Sequence, residues 1–185
     1  EAATGWIVTH RYSVIPIPSG AFAVVLNGGG DVVWWATPED DGHRVVRVRP
    51  SADGRSVIVL LDHEDPDLRR IDRYPLDGGD ALRTAAPAAS HDFWENGDGT
   101  FTYVAHDFRP DVHLVGANPT VADRLRTVTE GDEDGATMVD GFSFFDDYPI
   151  DPWFPCGHAA TGFFVPGANE WTHVNSLVRA PNDDG

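Results

Sequence analysis

The segment Trp171-Thr-His173-Val-Asn175-Ser176 sets an imidazole and a carboxamide two residues apart. Alternate side chains of a strand share a face, so His173 and Asn175 are expected to look the same way while Val174 packs behind. An imidazole supplies a base or nucleophile, and a neighbouring carboxamide supplies a donor for an anionic oxygen. The same two residues also suit a purely structural hydrogen-bonded pair. Ser90-His91-Asp92-Phe93 carries a second imidazole, with Asp92 on the opposite strand face and so not expected to orient His91 directly. Taken alone, each motif favours a structural histidine. The register that relates them is what raises both.

His158, in Cys156-Gly-His158, follows an aromatic and proline-rich run from Phe142 to Pro155. That run reads as a lid or rim loop whose Trp153 and Phe154 form an aromatic wall for a flat ligand, or else as a plug of the core. His158, Trp153 and Phe154 are therefore candidate substrate contacts. His106, Asp107, Arg109, Asp111 and His113 have no structural-metal spacing and read as a charged, exposed turn. There is no Gly-x-Ser-x-Gly, no phosphate-binding glycine loop and no carboxylate pair in contrasting environments. Neither a metal nor an organic cofactor is expected.

Composition narrows the chemistry further. Thirty acidic against 13 basic residues give a formal charge of −17, which disfavours nucleic acid and anionic membranes as partners. All 13 basic residues are Arg, so a Lys nucleophile, Schiff base or P-loop Lys is excluded. Asp far outnumbers Glu, and a high-GC or salt-adapted genome accounts for both skews. The single Cys156 excludes an intrachain disulfide and a multi-Cys zinc site. No stretch approaches the roughly 20 apolar residues of a membrane span. The start at Glu1 reads as already trimmed of a leader.

The elements that must position these residues are strands. Runs rich in Val, Ile, Phe, Trp and Tyr occupy residues 5–9, 21–26, 32–36, 44–48, 56–61, 92–94, 100–105 and 172–178. Turn signals such as Asp53-Gly54, Asp77-Gly78 and Asn96-Gly97-Asp98-Gly99 separate them. No window holds a convincing helical stripe; residues 121–128 come nearest. The fold class is all-β. His43, His91 and His173 each precede an extended run and an Asp-Gly turn, and in the first two cases a return strand follows. The first two histidines stand 48 residues apart, near a propeller's blade period, and the next gap is 82. A propeller's first strands line a central channel, so the pattern predicts a β-propeller of four-stranded blades with the histidines converging on one funnel. Approximate blades fall at 1–40, 41–86 and 87–125, with an irregular, lid-like insertion at 126–168 and the start of a further blade at 169–185. The last turn lacks its return strand, so the reading expects about half of a propeller here, completed by other blades.

With His91-Asp-Phe before a Gly-Asp-Gly hairpin, and Trp171-Thr-His-Val-Asn-Ser176 after it, the chain resembles the arylsulfotransferase family. Its opening, Gly5-Trp-Ile, Val24-Val-Leu and Gly30-Asp-Val-Val-Trp-Trp, is similar to that family's early blades. The resemblance covers most of the chain, and Thr-His-x-Asn-Ser is its most specific part. It implies an exported (periplasmic or secreted) six-bladed propeller, within the usual range of blade numbers, that moves a sulfuryl group from a phenolic sulfate ester to a phenol through a sulfated histidine. His91 would be the funnel histidine, and His173 and Asn175 would hold the transferring oxygens. In the family the sulfated histidine and an assisting arginine lie C-terminal to the Thr-His-x-Asn segment. These 185 residues hold neither, and alone they are expected to be inactive. The partners implied are an aryl sulfate and a phenol, with the remaining blades.

Two other readings stand beside it. One is a non-catalytic extracellular propeller whose histidines are structural and whose acidic surface contacts another protein. The other is a calcium-stabilised β module using the Asp-rich turns.

Overall fold

The computed structural model describes residues 5–11, 22–38, 42–113, 118–148 and 168–178. It is all-β. Strands β1 (Ile7–Arg11), β2 (Phe22–Leu26) and β3 (Val32–Ala36) form an antiparallel sheet in chain order. Strands β4 (Arg44–Pro50), β5 (Ser56–Asp62), β6 (Arg70–Pro75) and β7 (Leu82–Ala85) form a second antiparallel sheet in chain order. The third holds β8 (Ala89–Glu95), β9 (Thr100–Arg109), β10 (Thr120–Thr129) and β11 (Val139–Ser143). A two-residue strand, β12 (Asn169–Glu170), joins it in parallel with β10. One helical turn, α1 (Phe144–Asp147), follows β11. No helix among the described residues is long and apolar enough to cross a membrane.

Period-2 alternation in β5 explains how the sheets stack. Val57, Val59 and Leu61 pack with Ala23, Val25, Val45 and Val48 toward the first sheet. Ile58 and Leu60 face the other way and, with Ile71 of β6, join Phe93, Phe101, Tyr103 and Val128 of the third. A sheet buried on both faces reads as a continuous apolar run, and Val57 to Leu61 is one. The first strand of each sheet lies beside the first strand of the next, β1 against β4 and β4 against β8. Arg73 on β6 ties the layers further, reaching Glu130, and Glu95 at 2.7 Å. The first sheet's far side leaves Ile7, Val32 and Trp35 exposed.

The hairpins follow their turn chemistry. Gly54 and Gly99 adopt φ of +69° and +79°, conformations that favour glycine. The aspartates before them act locally. Asp53 Oδ1 accepts the Ser51 hydroxyl and the Arg55 amide, and Asp98 Oδ1 accepts the Thr100 amide and hydroxyl.

Several expectations need correction. Residues 121–128, nearest to a helical stripe, lie in β10, because their backbone pairs with β9 along one edge and with β11 and β12 along the other. The third sheet runs past residue 125 through β10 to β11. His106, Asp107 and Arg109 belong to β9 rather than to an exposed turn; Asp107 is buried between Arg109 and Arg124. Residues 172–178 are not a strand. After β12 the chain is held by side chains instead of a ladder.

Candidate functional site

The site forms where β4, β8, β9 and β10 meet segment 168–178. In β8 the register with β9 slips between Ala89 and Phe93, which leaves Ser90, His91 and Asp92 in a bulge. His91 takes φ of +50° there, an uncommon conformation for a residue with a side chain. Its carbonyl accepts Arg47 Nε at 3.2 Å. Asp92, with no exposed surface, accepts two bonds from Arg49, at 3.2 and 2.7 Å, and the Leu177 amide at 2.8 Å. Asp92 thus ties Arg49 and the Leu177 amide to the bulge that carries His91.

Segment 168–178 is docked by its ends and its middle. Trp171 N donates to Val121 O at 2.8 Å, extending the β12 pairing. Buried Asp123, on β10, accepts the Thr172 hydroxyl at 3.0 Å and the Val174 amide at 2.8 Å through Oδ2. Arg47 and Arg49 donate to the carbonyls of Asn175 and Leu177. These ties carry His173 to His91, with ring centroids 4.5 Å apart and planes inclined by 49°. His173 Nδ1 lies 2.5 Å from Glu170 Oε1.

A third imidazole belongs to the group. His106 stands opposite Asp123 across the β9–β10 ladder, and its amide donates to Ala88 O. Burial pushes His106 down to about 3, helped by Arg69, His91 and His173. Burial likewise pushes His91 down to about 4, with His173 and Arg47 adding to it. Both rings are therefore neutral near pH 7. Burial pushes Asp123 up to about 6 against the bonds it accepts. Buried Arg69 bonds Ala89 O at 2.7 Å and pairs with Asp62 at 2.8 Å.

Of the residues singled out by sequence, His91 and His173 are in contact. Asn175 is exposed, and its carbonyl rather than its carboxamide meets Arg47. Trp153, Phe154 and His158 lie outside the described residues. Within the described start of the aromatic run, Phe142, Phe144 and Tyr148 cluster together, while Phe145 packs on Trp171 at 5.5 Å. Sequence reasoning missed Asp123, Glu170 and Arg47, and it placed His106 in an exposed turn rather than in β9. The hairpin joining β8 to β9 pairs Phe93 with Tyr103 and so returns His106 toward His91; that spacing was the available signal. Nothing comparable marked Glu170.

A concavity of about 550 Å³ adjoins the site without containing its histidines. Trp94, Asn96, Thr102, Leu125 and Leu177 line it, on the side of the third sheet turned from the second. The hollow is open, and its lining mixes apolar side chains with polar ones, Asn96, Asp98 and Thr102. Among the described residues, no group of three or more His, Cys, Asp or Glu is placed to hold a metal ion. The chain matches no protein-family model, no curated protein and no solved structure.

Proposed function

We propose that the three sheets are successive blades of a β-propeller, and that the histidine cluster is part of an arylsulfotransferase-like site. Support for the propeller comes from three antiparallel sheets in chain order, stacked face to face with their first strands adjacent. The observation that carries the site is the contact of His91 with His173 across 82 residues. A sulfuryl group in transfer carries charge on its peripheral oxygens, and fixed N–H donors stabilise that charge. A neutral imidazole retains one such donor and a protonated one two.

In this reading a phenolic sulfate ester donates and a phenol accepts, outside the cytoplasm. A histidine nitrogen attacks sulfur, the ester S–O bond breaks and phenolate leaves. The acceptor oxygen then takes the sulfuryl group from the histidine. His91 and His173 hold the oxygens in flight, and the imidazole that is sulfated is neither of them.

The test is to incubate the full-length protein with a chromogenic aryl sulfate and a phenol acceptor. Acceptor-dependent release of the chromogenic phenol is expected, with a loss of about 10²-fold or more in His173→Ala. No release, or a variant that matches wild type, overturns the reading.

One observation favours a second reading, a non-catalytic propeller. Arg47, Arg49 and Arg69 all bond carbonyls or carboxylates of the chain itself. A cluster locked in that way also serves as a structural clasp. Under that reading His173→Ala lowers stability, and aryl sulfates give no chemical-shift change at the histidines.

A further inference from the structure

We propose that Glu170 is the positioning residue of the histidine cluster, holding His173 with a proton on Nδ1 and leaving Nε2 as the nitrogen through which the ring acts. Glu170 sits on the one part of segment 168–178 that belongs to a ladder. Its backbone pairs with Val121, and the following amide bonds Val121 O at 2.8 Å. Its side chain is only 9% exposed. A carboxylate taken from water needs a charged or hydrogen-bonding partner, and His173 Nδ1 at 2.5 Å is placed to be one.

An ionised carboxylate only accepts hydrogen bonds, so the nitrogen facing it must carry the proton. The bond made by one ring nitrogen sets the state of the other. Nε2 of the neutral ring is then a lone-pair acceptor, and once it takes a proton, with Glu170 balancing the charge, its N–H is the donor that holds a sulfuryl oxygen. The backbone between the pair has little slack. Thr172 is bonded to Asp123 through its hydroxyl, and Val174 through its amide, so His173 is pinned on both sides. Glu170 thus acts on chemistry through another residue and touches no substrate.

What Nε2 acts upon rests on the sulfuryl-transfer reading; the protonation of Nδ1 does not. The experiment is a long-range 1H–15N correlation of the histidine rings in the full-length protein at pH 8.5, with His173→Asn to assign the signal. Nδ1 is expected to be protonated in wild type, and the proton to move to Nε2 in Glu170→Ala. A bare Nδ1 in wild type overturns the proposal, and that spectrum decides even if Glu170→Ala fails to fold. An unchanged ring in a folded Glu170→Ala also overturns it. Aryl-sulfate turnover is read in parallel. A fall of about 10²-fold in Glu170→Ala, partly rescued in Glu170→Asp, is expected, and no fall in an active protein sinks the proposal. Wild type without turnover ends the sulfuryl reading and leaves the Nδ1 result to decide on Glu170.

Discussion

Asp123 Oδ2 accepts the Val174 amide at 2.8 Å, so a carboxylate inside one sheet fixes the backbone beside His173. This bond crosses 51 positions of sequence, and the Thr172 hydroxyl reinforces it. A side chain, rather than a strand ladder, sets the place of the second imidazole.

Asp123 makes stability pH-dependent with a definite sign. Burial raises its carboxyl from 3.8 to about 6, so the folded chain binds this proton more tightly than the unfolded chain. Its contribution is present in full below about pH 4 and is lost as pH rises through 6. Asp123→Asn lacks that loss. Its stability relative to wild type should improve by about 3 kcal/mol between pH 4 and pH 8, from roughly 1.4 kcal/mol per pKa unit. Urea unfolding of both proteins at the two pH values checks this.

His91 and His106 act at the acid side. Their folded values, about 4 and about 3, lie below the ordinary 6.5, so the unfolded chain takes up protons first as pH falls. Stability should drop from pH 6.5 downward, by up to about 1.4 kcal/mol per pH unit for each ring. Replacement of His106 by Gln should move the acid-unfolding midpoint, followed by circular dichroism, to lower pH. An unmoved or raised midpoint contradicts it.

Asp92 is buried, pairs with half-buried Arg49 and holds the Leu177 amide. Removing it leaves that amide and the guanidinium short of a charged acceptor, a loss of about 1–3 kcal/mol. Asp92→Ala should lose that much by urea unfolding and also free residues 175–178 to faster amide exchange.

Leu60 tests the sheet stack. It is buried against the third sheet, while Val59 beside it faces the first. Leu60→Ala should cost about 2–5 kcal/mol. If the sheets form one cooperative unit, amide protection should fall in all three.

Much of the fold was legible because local chemistry announced it. Val57 to Leu61 wrote a buried strand, Asp53-Gly54 the hairpin that leads into it, and Asp98-Gly99 the hairpin between β8 and β9. β10 was obscured because Asp123, Arg124 and Arg126 interrupt its apolar alternation. Their partners, Asp140 for both arginines and Thr172 for Asp123, are supplied by distant segments that spacing does not reveal. The same reason hid Glu170 and His106. His91 and His173 were visible as residues of the right chemistry in repeated settings. The irregular path of segment 171–178 was not, because it depends on four side chains from three strands, Arg47, Arg49, Asp92 and Asp123.

The left-handed backbone at His91 bears on how that position can be probed. Gly, Asn and Asp tolerate such a φ, whereas alanine and branched residues resist it. An alanine scan there would remove a ring and impose strain together, inflating the apparent worth of the imidazole. In a saturation library selected only for solubility, survivors at position 91 should be enriched in those three residues. Asparagine is the replacement that separates the ring from its bend.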